Sequence, residues 1–178
     1  MSYPFNKINF GEDGKSVTTV IEIPKGSMLK AEWDRKKEYF VLDRVEPGIF
    51  AKPCNYGFIP QTLDEDGDEL DTLVVTAEGL QMGLVVEEAI VIGMVDFEDD
   101  GENDHKIVVV SADDRHYGEI KNLDDLGEAW KKQIEHHFNH YKDLKKPGST
   151  KVRGFENADK AWEIIRECAQ RAQENKWW

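Results

Sequence analysis

Residues 63–75 read Leu-Asp-Glu-Asp-Gly-Asp-Glu-Leu-Asp-Thr-Leu-Val-Val. Asp66, Asp68 and Asp71 surround Gly67, and an apolar run follows at once, so the stretch reads as an acidic turn feeding a strand over 72–76. Short carboxylates around a glycine turn can converge on one point. Like charges brought that close must be separated, solvated or bound to a metal ion. An EF-hand loop with Gly67 at its sixth position would place Leu73 where a bidentate Glu is needed, and its flanks would have to be helical. Both requirements fail. A charged turn and a metal site remain open.

Working outward, the chain before and after this stretch carries strand signals. Residues 17–23 (VTTVIEI) are rich in β-branched side chains and stop at Pro24. Residues 39–42 form a short strand, residues 85–95 a longer one bent at Gly93, and residues 107–110 a compact apolar one. Pro24-Lys25-Gly26, Pro47-Gly48, Asp66-Gly67 and Asp100-Gly101 separate them. The last third changes period. Leu123, Leu126, Trp130, Ile134, Phe138 and Tyr141 fall on one helical stripe, and Ala158, Ala161, Trp162, Ile165, Cys168, Ala169 and Ala172 on a second. Asn122 and Asn157 are the expected N-caps. Strands followed by helices predict an α+β, mainly β chain: a small sheet or closed barrel packed by two C-terminal helices, in a single domain over 1–178.

A second acidic cluster, residues 96–104 (DFEDDGEND), fails the EF-hand test as well, because Ile107 falls at the twelfth position. Alone it reads as a charged hairpin turn. Two such clusters at strand edges favour a metal site, and oxygen donors without clustered Cys or His favour Mg²⁺, Mn²⁺ or Ca²⁺ over zinc. Fixed cations and hydroxyls that could face a polyanion beside such a metal are Lys30, Arg44, Lys106, Lys142, Tyr56 and Tyr141.

The chain has 178 residues, and 23 Lys and Arg against 36 Asp and Glu give a net charge of −13. Such a balance repels nucleic acid and anionic membranes at long range. The apolar stretch 84–95 is broken by Glu87 and Glu88 and is too short to span a bilayer. The N-terminal MSYPFNKINF lacks the pattern of a signal peptide, and Cys54 and Cys168 form no disulfide framework. Together these features predict a cytoplasmic protein.

The chain resembles the soluble family I inorganic pyrophosphatases of the bacterial type. The central match is Asp66-Gly-Asp68-Glu-Leu-Asp71-Thr-Leu-Val. It is joined in order by Val20-Ile-Glu22-Ile-Pro, Leu29-Lys30-Ala-Glu32, Leu42-Asp43-Arg44, Pro53-Cys-Asn55-Tyr56-Gly57, the segment from Asp99 to Lys106, and His140-Tyr141-Lys142-Asp143-Leu144. The resemblance covers about residues 17–172.

It implies hydrolysis of pyrophosphate to two phosphates, a small closed OB-like barrel with helices outside, and a homohexamer. It also implies several Mg²⁺ ions per site, with Mn²⁺ as a possible substitute, and pyrophosphate entering as its magnesium complex. Asp66, Asp71 and Asp104 would hold activating metal, Asp99 would join on substrate binding, and Glu22 and Glu32 would lie nearby. Asp68 would be the general base. Lys30, Arg44, Tyr56, Lys106, Tyr141 and Lys142 would line the phosphate subsites. Two positions depart from the family pattern: Lys52, where an aromatic residue is common, and Asp100, where Glu is common.

The alternative is a non-enzymatic Ca²⁺-binding module, which predicts tight Ca²⁺ binding and no phosphate release. A zinc hydrolase would need more than His136 and His140 one helical turn apart; without HExxH these read as helix-surface histidines. A nucleic-acid-binding barrel lacks a basic-aromatic stripe. Trp177-Trp178 has no derivable role beyond packing on a neighbouring copy.

Overall fold

The computed structural model describes residues 5–11 and 13–176; the Trp177-Trp178 pair lies outside them. The β-branched run near the N-terminus forms β1, Ser16–Ile23. A charged hairpin follows, β2 at Leu29–Asp34 and β3 at Tyr39–Val45. Then come β4 at Asn55–Phe58, β5 at Asp71–Val75, β6 at Val85–Asp99, the two-residue β7 at Glu102–Asn103, and β8 at Lys106–Ser111. Helix α1 spans Gly127–His140, β9 spans Thr150–Asn157, and α2 spans Ala158–Glu174.

Five strands close into a barrel. β1 pairs with β4, β4 with β5, β5 with β8, β8 with β6, and β6 returns to β1. All of these pairs are antiparallel except β5–β8, which is parallel. Closure leaves no unpaired edge within the ring. β6 is long enough to serve four partners: its N-terminal part runs along β1, its middle along β8, its C-terminal half along β9, and its last two residues along β7. The expected bend is present, with the β6–β8 register shifting between Val91 and Gly93. A Cβ on Gly93 would lie 2.5 Å from the Glu156 carbonyl oxygen and 2.9 Å from Leu123, so the crossing requires glycine.

Two apolar layers coat the wall. Val17, Ile21, Val74, Val91, Ile107 and Val109 share a core with Ala161, Trp162, Ile165 and Cys168 of α2. Side chains on the opposite faces, Leu73, Val75, Val108, Val110 and Phe97, pack with Ile134 and Phe138 of α1. β5 and β8 are therefore buried on both faces, which is why DTLVV and KIVVVS read as continuous apolar runs. Both cysteines are buried and free. Among the described residues no helix is long and apolar enough to cross a membrane.

Several boundaries differ from the sequence expectation. β2, β4 and β9 gave no clear signal. β2 and β9 bury only alternate residues, Ala31 and Trp33 in one and Thr150 and Val152 in the other, between charged neighbours. β4 is four residues long and contains Gly57. The stripe beginning at Leu123 is not one helix. Leu123–Leu126 is a 3₁₀ turn, and Gly127, at φ +80°, separates it from α1. Asn122 therefore opens the 3₁₀ turn, while Asn157 caps α2 by accepting from the Lys160 N–H at 3.0 Å. Tyr141 lies just past the end of α1, its N–H bonded to the His137 carbonyl at 2.8 Å.

Gly57 tests the closure of the ring. A Cβ there would stand 2.3 Å from the Val20 carbonyl oxygen and 3.2 Å from the Thr19 hydroxyl. Gly57→Ala must push β1 from β4 and is expected to destabilise by about 1–3 kcal/mol. Urea unfolding measures this, and an unchanged midpoint would mean that the wall yields at no cost.

Candidate active site

The acidic turn is built by its backbone. The Asp64 N–H donates to the Asp68 carbonyl at 2.8 Å, and Gly67 turns the chain at φ +94°. The Asp68 N–H donates to Asp66 Oδ1 at 3.1 Å. Buried Thr62 accepts from the Leu70 N–H at 2.9 Å and so fixes the return into β5. Asp64, which carried no role in the sequence reading, is a buried strut: its carboxylate accepts the His105 N–H at 3.1 Å and so ties the first acidic segment to the second. Asn55 has a similar part. It accepts from the N–H groups of Lys25 and Leu80 and donates to Val74, Thr76 and Glu78.

The two acidic segments meet in one cavity of about 190 Å³. Glu22, Glu32, Asp66, Asp68, Asp71, Asp99, Asp104, Lys30, Tyr56, Tyr141 and Lys142 all line it, so eleven of the thirteen site residues expected from the sequence converge. Lys106 lies directly behind the wall, 1% exposed, with its ammonium between Asp71 (2.5 Å) and Asp104. Arg44 does not line the cavity. It sits opposite Lys30 in the β2–β3 hairpin, paired with Glu46 and with Asp43 at 2.6 Å. Asp99 and Asp100 occupy the β6–β7 hairpin, so the second cluster is a charged hairpin turn, and its Asp99 and Asp104 also line the cavity. Asp100 and Gly101 have φ +55° and +89°, which suits a two-residue turn, and Asp tolerates that region. Asp100 points to Lys146 at 2.5 Å and does not line the cavity, so this departure leaves the site itself untouched.

Nearly every cavity carboxylate has a fixed partner. Glu22 accepts the Trp33 N–H at 2.6 Å, and burial, followed by the nearby Asp71, holds its carboxyl well above the usual range. Glu32 pairs with Lys30, Asp99 with Lys142 and with the Tyr141 hydroxyl at 3.1 Å, and Asp71 also accepts from the Tyr56 hydroxyl. Glu69 was missed by sequence reasoning, although it stands beside Asp68 in the deciding stretch. It lines the cavity and pairs with Arg35 at 3.1 Å, and burial raises its carboxyl to about 7. Among the described residues, Asp68 is the one cavity carboxylate whose side chain makes neither hydrogen bond nor ion pair. Burial, then the charge of Glu32, raises its pKa.

A cup of paired carboxylates and fixed cations at the mouth of a five-stranded barrel has known counterparts. The family described as inorganic pyrophosphatase matches residues 19–173. The chain belongs to the inorganic pyrophosphatase family. It is 59% identical over 160 residues to an inorganic pyrophosphatase of Neisseria meningitidis serogroup B, covering 89% of this chain and 90% of that one. The crystal structure of an inorganic pyrophosphatase from Neisseria gonorrhoeae superposes with a TM-score of 0.92 at 56% identity, covering 95% of this chain and 99% of the other. That from Thermus thermophilus gives 0.88 at 38% identity, covering 96% and 99%.

Inorganic pyrophosphatases are metal-dependent in general, and the residues present fit a hard divalent cation. The donors are all carboxylate oxygens. Burial and then neighbouring Asp104 raise Asp66 to about 7. Burial raises Asp71 to about 6 against the pull of Lys106. Asp99 Oδ1 is buried without a partner. The cage is not preformed: among the described residues no three acidic, histidine or cysteine side chains gather as an ion would require. The ammoniums of Lys106 and Lys142 neutralise Asp71, Asp104 and Asp99 instead.

Proposed function

We propose that this cavity hydrolyses inorganic pyrophosphate to two phosphates through an attacking water, with Asp68 as its general base and Mg²⁺ as the activating metal. The activity follows from family membership over residues 19–173. The observation that carries the assignment of the base is the isolation of Asp68. Each of the other cavity carboxylates is held through at least one oxygen, whereas both oxygens of Asp68 are free to take a proton.

Pyrophosphate resists hydrolysis because its own charge repels nucleophiles, so the site must neutralise charge and align water. Asp66, Asp71, Asp99 and Asp104 are the residues that would hold divalent metal, with Glu22 and Glu32 nearby in the same cavity. When bound, the metal supplies charge neutralisation and acidifies the attacking water. Asp68 accepts the proton of that water. Lys30 and Lys142 would present ammoniums to the phosphoryl oxygens and Tyr56 and Tyr141 hydroxyls, while Lys106 adds positive charge from behind the wall and Arg44 would join from the β2–β3 hairpin. Substrate enters as its magnesium complex, whose smaller negative charge lessens repulsion from the acidic cup. Residues 1–178 act as one domain in a cytoplasmic homohexamer. Light scattering measures that assembly, and a monomer at micromolar concentration would overturn it.

Phosphate release from pyrophosphate should be rapid with Mg²⁺, absent with EDTA, and suppressed when Ca²⁺ is added to Mg²⁺. The larger ion, with its looser geometry, misplaces the nucleophile. Tight Ca²⁺ binding without release under any condition would favour the non-enzymatic module instead.

A further inference from the structure

Lys52 is the departure from the family pattern that the reading above leaves without a role. It is 7% exposed, and its side chain lines the acidic cavity. Its ammonium lies 4.9 Å from the centre of the Tyr56 ring and 5.1 Å from that of Tyr141, the two hydroxyl donors of the site. The other cavity lysines have carboxylate partners: Lys30 has Glu32 and Asp43, and Lys142 has Asp99. Lys106, behind the wall, has Asp71 and Asp104. The Lys52 backbone is bonded to Gly26 and Ser27, but among the described residues its ammonium has neither an ion pair nor a hydrogen bond.

Burying an ammonium without an anion is costly, and two aromatic faces offset only part of that cost. After burial, the strongest influences on Lys52 are the ammoniums of Lys30 and Lys106, which together with burial lower its pKa to about 8. Lys52 thus lines the cavity with Lys30, while Lys106, behind the wall, approaches the same Tyr56 ring at 5.5 Å. An anion placed beside the Lys52 ammonium would stabilise this cationic corner, and the cavity that Lys52 lines is where such an anion can enter.

We propose that Lys52 is an additional substrate-binding residue, whose ammonium receives a phosphoryl oxygen of the diphosphate between the Tyr56 and Tyr141 rings. This rests on the pyrophosphatase reading and adds a contact to it. The aromatic pair fixes the stem, so the ammonium is positioned before substrate arrives, and the phosphoryl group supplies the missing counter-charge. Lys52 accordingly acts in binding, on the substrate's charge, and takes no part in proton transfer.

The test uses the full-length protein with Mg²⁺ and the non-hydrolysable analogue imidodiphosphate, measured by calorimetry beside steady-state kinetics on pyrophosphate. Lys52→Met keeps the buried stem and removes the charge. It is expected to weaken imidodiphosphate about tenfold or more, the loss of one charge-assisted contact. KM should rise by a larger factor than kcat falls. Lys52→Arg should recover part of the affinity, which a purely packing role would not predict. Lys52→Gln serves the same purpose as Lys52→Met should the Met variant not fold. Unchanged imidodiphosphate affinity in a folded, charge-free variant would overturn the proposal, and so would a fall in kcat with binding intact. Failure of the parent protein to bind imidodiphosphate or release phosphate would instead overturn the pyrophosphatase reading beneath it.

Discussion

Asp68→Asn should lower turnover by about 10²- to 10⁴-fold, the range that a positioned general base contributes. The substitution keeps size and shape and removes the proton acceptor. Its effect on divalent-cation binding should be much smaller. The residues assigned to metal stand on other elements or face other partners: Asp71 and Asp104 touch Lys106, and Asp99 touches Lys142. The Asp68 backbone N–H, which orders Asp66 Oδ1 at 3.1 Å, survives the change, so the turn persists. Steady-state kinetics at saturating Mg²⁺, paired with calorimetry of Mg²⁺ binding, separates the two effects. A variant with turnover close to the parent's would remove Asp68 from the base role. One that lost metal affinity in step with turnover would make it a ligand.

Lys106→Met should cost about 3–5 kcal/mol of stability in metal-free protein, the usual penalty for removing one partner of a buried ion pair. Lys106 is 1% exposed and its ammonium is shared by Asp71 and Asp104. Methionine fills the stem but leaves two mostly buried carboxylates without their shared counter-charge. Burial already raises Asp71 to about 6, and Lys106 is the main influence holding it down. Without the lysine that pKa rises further. The penalty is then fully present above the raised value, where the carboxyl must ionise, and shrinks as the pH falls through it and Asp71 takes up a proton. Millimolar Mg²⁺ should restore part of the loss, because a bound cation replaces the missing charge and favours the folded state. Urea unfolding with EDTA and with Mg²⁺, at neutral and mildly acidic pH, reads all three effects. Equal stability of variant and parent in EDTA would show that the carboxylates do not depend on Lys106.

Much of the fold was legible because burial leaves periodicity. Residues 17–23, 72–76 and 107–110 are dense in β-branched residues, since both faces of those strands are covered. The α2 stripe was clear for the same reason. β2 and β9 were not, because each buries only two or three side chains between charges whose reason for being there lies elsewhere in the chain. The stripe from Leu123 overran because the side chains of a 3₁₀ turn and the helix after it point to the same core, and only the backbone of Gly127 divides them.

The candidate site was legible as residue types and order, not as pairings. Asp66, Asp68, Asp71, Asp99 and Asp104 stand in two segments whose acidity is visible locally. Which of them is free and which is held depends on Lys106 and Lys142, and the latter is more than forty residues away from its partner Asp99. Glu69 hid among the other acids of its segment, and its role came from Arg35 on another hairpin. Lys52 stood out in the sequence only as a departure from the family pattern; the barrel places its ammonium beside the rings of Tyr56 and Tyr141.

By itself, then, the sequence determined the family, the class of fold and the set of chemically competent side chains, because local pattern and motif order are properties of a line. Only the tertiary structure decided barrel closure, the isolation of Asp68 and the cationic corner around Lys52. Those depend on distances between residues that the chain keeps far apart, and electrostatic pairing in a buried cavity is set by such distances.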